Sequence, residues 1–428
     1  MKSLHKIILF ALLPLAGACS GMLDIEPHSA VSPTVVGSDD IEALRIGMYH
    51  EVQEGPTYYS YIAFDLFGGE LMTSTGRPIT LINSLSNALH TFVSSQWNGY
   101  YEALLQVNNV MSIAEGLADS PIRNRVLGEC HYFRAHIYLC LVTRFGDVPV
   151  LRQNTQAKVS RDPASMAWAL VEEDLDAASG FLNGLSADSF YYVSPAAVTA
   201  LKARVKLYLG KKDEARVLAE SLIANPNYAL DDFDKIFRSK ANKEVIFAFS
   251  CLTEDGSSIR ISNQFYSYNH PNKGSYNYRP ASDVMTMYAD NDLRKEVSIT
   301  TLDNLNFINK YPSGQTGSDP VVISRLAEMY LISAEAQGLN GGLDRLNELR
   351  EKRGLDKLEN PATEADFLDA VLRERRLEFL AEGFRWYDLV RTGKATQTLG
   401  TKDYQCLMPL PSRELLYNPN LRPNNPGY

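Results

Sequence analysis

The feature that most constrains the fold is residues 196–226, AAVTALKARVKLYLGKKDEARVLAESLIANP. It reads as a helix, a one-glycine turn and a second helix. Tyr208 and Leu209 end the first helix, and Gly210 permits the tight turn. Ala215 and Ala219 are small enough for the second helix to pack closely, and Pro226 stops it. Residues 326–353, LAEMYLISAEAQGLNGGLDRLNELREKR, repeat the idea more loosely. A helix pair of this kind buries its apolar face by stacking on neighbours, so a stacked, mostly α-helical scaffold is expected.

Other helix signals agree. Ser120-Pro121, Asp162-Pro163 and Ser194-Pro195 each pair a capping side chain with Pro at the first helical position. They predict helices over 122–144, 164–182 and 196–209, and Ser38 can cap another through Gln53. Residues 96–117, 322–338, 343–353 and 364–391 also carry helical periods. Helix is expected to resume near Ser282. Glu244 to Ser250 (EVIFAFS) is the clearest strand. Residues 255–280, rich in Gly, Ser, Asn and Tyr, read as a long loop, and Asn418 to Tyr428 as an irregular surface wrap.

The first residues read as an export signal over 1–18: Lys2, His5 and Lys6 precede an apolar run, Ile7 to Leu15, too short to span a bilayer. Ala16-Gly17-Ala18 fits a general secretory cleavage site. Followed by Cys19, the same residues fit a bacterial lipobox, with Cys19 as the lipid attachment residue. We take the second reading forward, because a Cys there has little other use. Residues 19–37 then form a membrane tether, and 38–428 the helical body, with an N-terminal part about 38–230 and a C-terminal part about 231–428. Cys130 and Cys140 sit ten residues apart on one expected helix, ~15 Å and too far for a disulfide. The remaining thiols read as small buried side chains.

The formal net charge of -9 argues against nucleic acid, which is bound mainly through Lys and Arg. Glu374, Glu378, Glu382 and Asp388 invite a glycosidase reading. On a single helix they would point the same way, whereas that chemistry needs two carboxylates facing each other. With Arg375, Arg376 and Arg385 nearby, ion pairing that fixes helix packing is the better role. Phe145-Gly146-Asp147-Val148-Pro149 is too poor in Gly and Asp for a phosphate or metal turn, and Gly146 ends a helix there instead. Asp290-Asn291-Asp292 lacks the Gly and distal Glu of a calcium loop. No cofactor, metal or catalytic residue is expected.

The chain has 23 Tyr and 3 Trp, and two dense aromatic clusters fall in expected loops. One holds Tyr58, Tyr59, Tyr61, Phe64 and Phe67, followed by Arg77. The other holds Phe265, Tyr266, Tyr268, Tyr276 and Tyr278, interleaved with Asn263 and Arg279. Flat rings stack on apolar sugar faces while Asn and Arg reach hydroxyls, so Tyr58, Tyr59, Tyr61, Phe67, Arg77, Asn263, Tyr266, Tyr268, Tyr276, Tyr278 and Arg279 are the candidate ligand-binding residues. The competing reading is that the rings pack loops against helices.

Several long segments resemble one family. These are GECHYFRAHIYLCLVTRFGDVPVL (128–151), VSPAAVTALKARVKLYLG (193–210), RLAEMYLISAEA (325–336), VLRERRLEFLAEGFRWYDLVRTGK (371–394) and LMPLPSRELLYNPNLRPNNPGY (407–428). They are similar to the SusD/RagB nutrient-uptake outer-membrane lipoproteins. The resemblance implies tetratricopeptide-like helix pairs with few short strands and a loop-rich ligand face. It implies a non-catalytic, surface-exposed outer-membrane lipoprotein seated on a SusC-like TonB-dependent barrel, capturing oligosaccharide, or alternatively oligopeptide. A surface glycosidase and a purely structural scaffold are the less favoured readings. Cys19→Ala should move the protein from membranes into the soluble periplasmic fraction. Persistence of the variant in outer membranes lacking the barrel would show that the lipid is not the anchor.

Overall fold

The computed structural model describes residues 40–75, 82, 85–238, 241–251, 259–359 and 361–428. The export segment, the tether with Cys19, Ser38 and Arg77 lie outside the described residues. The principal helices are α1 (Ile41–Glu54), α2 (Thr57–Phe67), α3 (Thr91–Glu115), α4 (Pro121–Phe145), α5 (Ala164–Phe181), α6 (Pro195–Tyr208), α7 (Lys212–Ile223), α8 (Leu326–Gln337), α9 (Leu339–Lys352), α10 (Glu364–Glu378) and α11 (Arg385–Arg391). The strands are β1 (Leu71–Thr73), β2 (Val245–Phe249), β3 (Tyr278–Pro280), β4 (Ile299–Leu302), β5 (Leu305–Ile308) and β6 (Val321–Arg325).

Two of the three marked helix starts form as read. Ser120 accepts from Arg123 N and Ser194 from Ala197 N, each with Pro in the first turn. The third is built differently. Asp162 turns back to accept from Val150 N at 2.8 Å, and Asp147 instead accepts from Ala164 N at 2.8 Å. The Asp of the Phe145–Pro149 turn thus caps the next helix, while Gly146 ends α4 with φ 72°.

From α3 to α7 each helix packs on the one before it, α7 then packs on α8, and α8 on α9. At the α6–α7 turn Gly210 takes φ 73°, and Ala215 and Ala219 are fully buried, as close packing requires. Between α7 and α8 the chain leaves the stack over residues 224–325, an excursion that carries most of the strands. β2 pairs antiparallel with β6, β1 with β3, and β4 with β5. Phe247 packs on Tyr132 of α4 at 5.5 Å between ring centroids, tying the β2–β6 ribbon to the stack.

Four expectations are corrected. The segment Tyr58 to Phe67 is helix α2, not loop. Residues 322–325 are strand, because Val-Val-Ile at 321–323 pairs with β2 before the helical period begins. Past Ser282 helix resumes only as a 3-10 turn at Val284–Thr286 and one turn at Lys295–Ser298, and a hairpin follows, its turn made by Asp303 and Asn304 with φ 50° and 60°. Residues 364–391 break into two helices around Ala381 (φ 60°) and Gly383 (φ 79°). Asp65 of α2 supplies the reason, accepting from Ala381 N at 2.9 Å and Gly383 N at 2.8 Å. Backbone amides freed by the break are thereby satisfied from another element. Glu374, Glu378, Glu382 and Asp388 therefore do not lie along one helix, although all are paired with cations.

Those pairs are buried. Glu378 accepts from Arg294 at 2.9 Å, Arg325 at 2.5 Å and Arg353 at 2.8 Å. Glu244, at the start of β2, takes Arg325 and Arg353. Glu382 takes Arg325 and Lys310, and Glu374 takes Arg294 and Arg350. The guanidinium of Arg325 also lies over the Phe379 ring at 4.5 Å. Burial alone would raise the Glu378 pKa, but Arg353, Arg325 and Arg294 override it and hold the carboxyl well below the usual range. Glu378→Gln keeps the volume and strands three guanidinium groups, so urea denaturation at neutral pH should show a loss of about 3–5 kcal/mol. A carboxylate held low stabilises fully above its unfolded pKa and loses that contribution as pH falls through the lowered native value. The gap between wild type and variant should therefore close in acid. A gap that persists unchanged to low pH would show that the destabilisation is not electrostatic.

Candidate functional site

Right after α2 the chain enters β1, which pairs with β3 so that Met72 faces Arg279 and Thr73 faces Tyr278. Ser74 N extends the pairing to Asn277 O at 3.1 Å. This short ribbon brings the two Tyr-rich segments together. Tyr58 sits in the first turn of α2, its ring 4.4 Å from that of Tyr59, and its hydroxyl interacts with those of Tyr59 and Tyr278. Burial pushes the Tyr278 hydroxyl up to about 12, and raises that of Tyr58 as well.

The second segment folds back on itself. Ser275 N donates to Asn263 O at 2.7 Å and Tyr276 N to Tyr266 O at 2.9 Å. The Asn263 side chain donates to Ser275 Oγ at 3.0 Å, and Asn277 to Gln264 Oε1 at 2.7 Å. Gly274 is required at this crossing, since a Cβ there would lie 2.5 Å from Tyr266 O. Tyr276 donates to Asn306 O at 3.0 Å and packs on Phe307 of β5 at 5.2 Å.

Backbone strain concentrates here. Thr57, Arg260, Lys273 and Tyr276 all have left-handed backbones, with φ of 58°, 41°, 51° and 47°. Such conformations cost on the order of 1–3 kcal/mol each at non-glycine residues, and they persist where surrounding structure enforces them.

The candidate residues separate by exposure. Phe67 is 2% exposed and packed between Phe92 and Trp386. Tyr266 is fully buried between His270 and Phe307, its hydroxyl on Asn309 Oδ1 at 3.0 Å. Tyr61 spends its hydroxyl on Gln53 O at 2.6 Å. Phe67 and Tyr266 are corrected to core, and Tyr61 to a packing role. Tyr268 is 72% exposed, and Tyr58, Tyr59, Asn263, Tyr276 and Arg279 are half-buried at the surface. Tyr278 is almost wholly buried beneath them. The sequence reading missed His270, Lys273 and Phe307. The Asp303-Asn304 pair between alternating residues was a legible hairpin signal, and would have brought in Phe307.

Other concavities fit an oligomer less well. A groove of about 440 Å³ runs between α3 and residues 149–159. Its aromatic residues are already committed: Trp97 is 4% exposed and packed on Phe145, and Tyr101 donates to Pro149 O at 3.0 Å. An internal cavity of about 100 Å³ lies behind α2, beside His136, Cys140 and Arg144. There Cys140 Sγ lies 3.8 Å from His136 Nε2. Burial would raise the thiol, but His136 outweighs it and brings it down to about 6. His136 Nδ1 has no hydrogen-bond partner among the described residues, so the orienting group of a nucleophilic centre is missing. Asp290, Asn291 and Asp292 are taken up by Lys295, Gly354 O and Arg294. Among the described residues no group of three or more His, Cys, Asp or Glu could hold a metal.

The burial contrast is testable by thermal melts. Tyr266→Ala should cost about 3 kcal/mol as a buried aromatic deletion, whereas Tyr268→Ala should stay within about 0.5 kcal/mol. Equal effects would mean that the loop packs differently.

Comparison with known proteins points one way. The model of the SusD family matches residues 302–408, and the model described as starch-binding, associating with outer membrane, matches residues 22–209. The chain is 26% identical to SusD-like protein P38 of Formosa agariphila, over 97% of this chain and 97% of that protein. Its fold superposes on a SusD superfamily protein from Bacteroides vulgatus with TM-score 0.80 at 21% identity, covering 92% of this chain and 99% of that one. A laminarin-binding SusD-like protein gives TM-score 0.76 at 22% identity, covering 92% and 100%.

Proposed function

Because the chain belongs to the SusD/RagB family, we propose that it captures nutrient glycan oligomers at the outer membrane and passes them to a SusC-like TonB-dependent barrel. The observation that carries this reading is the convergence of α2 and the 259–281 loop on the β1–β3 ribbon. That convergence sets the half-buried rings of Tyr58, Tyr59 and Tyr276, with Asn263 and Arg279, on a strained and cross-braced loop structure. Rings held in place in advance lose little freedom when a sugar face stacks on them. The starch-binding description of one matching family and the laminarin-binding neighbour favour glycan.

Cys19 is the proposed lipid attachment point. Capture without turnover is favoured because the carboxylates that invite catalysis are spent on arginines: Glu374, Glu378 and Glu382 as above, and Asp388 on Arg375 at 2.6 Å and Arg391 at 2.8 Å. The barrel partner rests on family membership alone.

The test is calorimetry of the mature protein against laminari- and malto-oligosaccharides. The combined Tyr58→Ala, Tyr268→Ala and Tyr276→Ala variant should bind about tenfold or more weakly, at roughly 1 kcal/mol per lost ring, while staying folded at the assay temperature with a melt lowered only by the lost contacts of the half-buried Tyr58 and Tyr276. Unaltered binding would place the capture surface elsewhere. Detergent extracts that repeatedly give free monomer would remove the barrel from the proposal.

A further inference from the structure

We propose that the captured glycan is anionic, carrying carboxylate or sulfate groups that the ligand face recognises through unpaired cations. This deepens the capture reading and rests on it. The chain holds 51 acidic residues against 42 basic ones, yet residues 259–282 contain no Asp or Glu. The described residues flanking the partner strand, 71–75 and 85–101, contain none either. Within 259–282 lie Arg260, Lys273 and Arg279, together with His270.

In the core, by contrast, cations are spent on carboxylates. Arg294, Lys310, Arg325 and Arg353 are each locked to buried carboxylates. Arg260, Lys273 and Arg279 form no ion pair with any described residue, and Arg260 and Lys273 are exposed. Arg260 and Lys273 flank one turn. The turn at 314–317 packs on Arg260 at one end and on Asn272 and Lys273 at the other. Lys273 Nζ lies 6.0 Å from the ring centre of Tyr268, the most exposed aromatic of the face. Arg279 acts on the Tyr276 hydroxyl.

Three of the described acids that approach this region are already occupied. Asp319 points inward to Ser313 N at 3.0 Å. Glu70 and Asp283 are both held by Arg376, at 2.8 Å and 2.6 Å. Asp303, on the β4–β5 turn, is the exposed acid nearest in sequence to the Tyr276 partner Asn306. A face with three cations that pair with no described acid favours carboxylate and sulfate, on a protein whose net charge of -9 disfavours them overall. The same arrangement gives a neutral glycan no charge advantage.

The test is calorimetry of the mature protein with four tetrasaccharides: galacturonate, sulfated galactan, maltotetraose and laminaritetraose. A tetraglutamate peptide serves as the polypeptide control. The anionic sugars should bind more tightly than the neutral ones, and lose affinity between about 50 mM and about 500 mM salt as exposed contacts are screened. The two anionic sugars compared together decide between carboxylate and sulfate. At roughly two- to fivefold per exposed charge, the Arg260→Gln, Lys273→Gln variant should lose roughly four- to twentyfold for the anionic sugar and little for a neutral one. If that variant melts low, the single exposed change Lys273→Gln carries the comparison. Neutral sugars bound as tightly as anionic ones, without salt dependence, would overturn the charge inference and leave glycan capture standing. Preference for the peptide over every sugar would overturn the inference, and so would anionic binding that the substitutions leave untouched. Binding of none of the five would sink the capture reading itself.

Discussion

Everything downstream depends on the buried carboxylate of Glu378 and the guanidinium groups around it. Arg294, Arg325 and Arg353 come from three separate stretches of chain, and Glu244 bridges two of them from a fourth. Buried ion pairs of this kind are weak sources of net stability, because taking each charge out of water costs several kcal/mol. Their effect is on which arrangement is tolerated. Any packing of α9, α10, β2 and β6 that separates one member leaves a bare charge in the interior, so alternative registers are penalised far more than the native one is rewarded.

That requirement places the Tyr-rich surface. Arg294 and Lys310 stand on either side of the β4–β5 hairpin, and both reach the α10 terminus, through Glu378 and Glu382. The hairpin is thereby fixed at its base, and its Phe307 and Asn306 in turn support Tyr276. On the other flank Asp65 of α2 holds the chain break at Ala381 and Gly383. Both halves of the Tyr-rich surface are therefore referred to the same few residues after Glu378, although they lie far apart in sequence.

Local chemistry was the legible part of the chain. Ser120, Ser194, Gly146 and Gly210 each act within a few residues of themselves, and their caps and turns are found where their side chains or missing side chains dictate. Asp162 was misread because its competitor, Asp147, arrives from the preceding turn, a contact that periodicity does not carry. The same limit explains α10 and α11: the 364–391 pattern is helical throughout, and the break is imposed by an aspartate in α2. In the candidate site, density of Tyr was a sound guide to the region and a poor one to individual rings. Tyr266 and Tyr268 are two residues apart and look alike in sequence, yet one is sealed under His270 and Phe307 and the other stands in solvent. Which of the two faces outward depends on a hairpin that lies beyond residue 298.

The pairing of Phe249 with Val321 means that the chain departs and returns on adjacent strands. Between them runs a loop that the framework grips again at Arg294 and Lys310. Loop closure costs only about 0.6 kcal/mol more for each doubling in length. Between those grips the helical stack therefore tolerates changes in the length of the loop. The stretches between the grips can diverge as separate segments while the framework that holds their ends stays as it is.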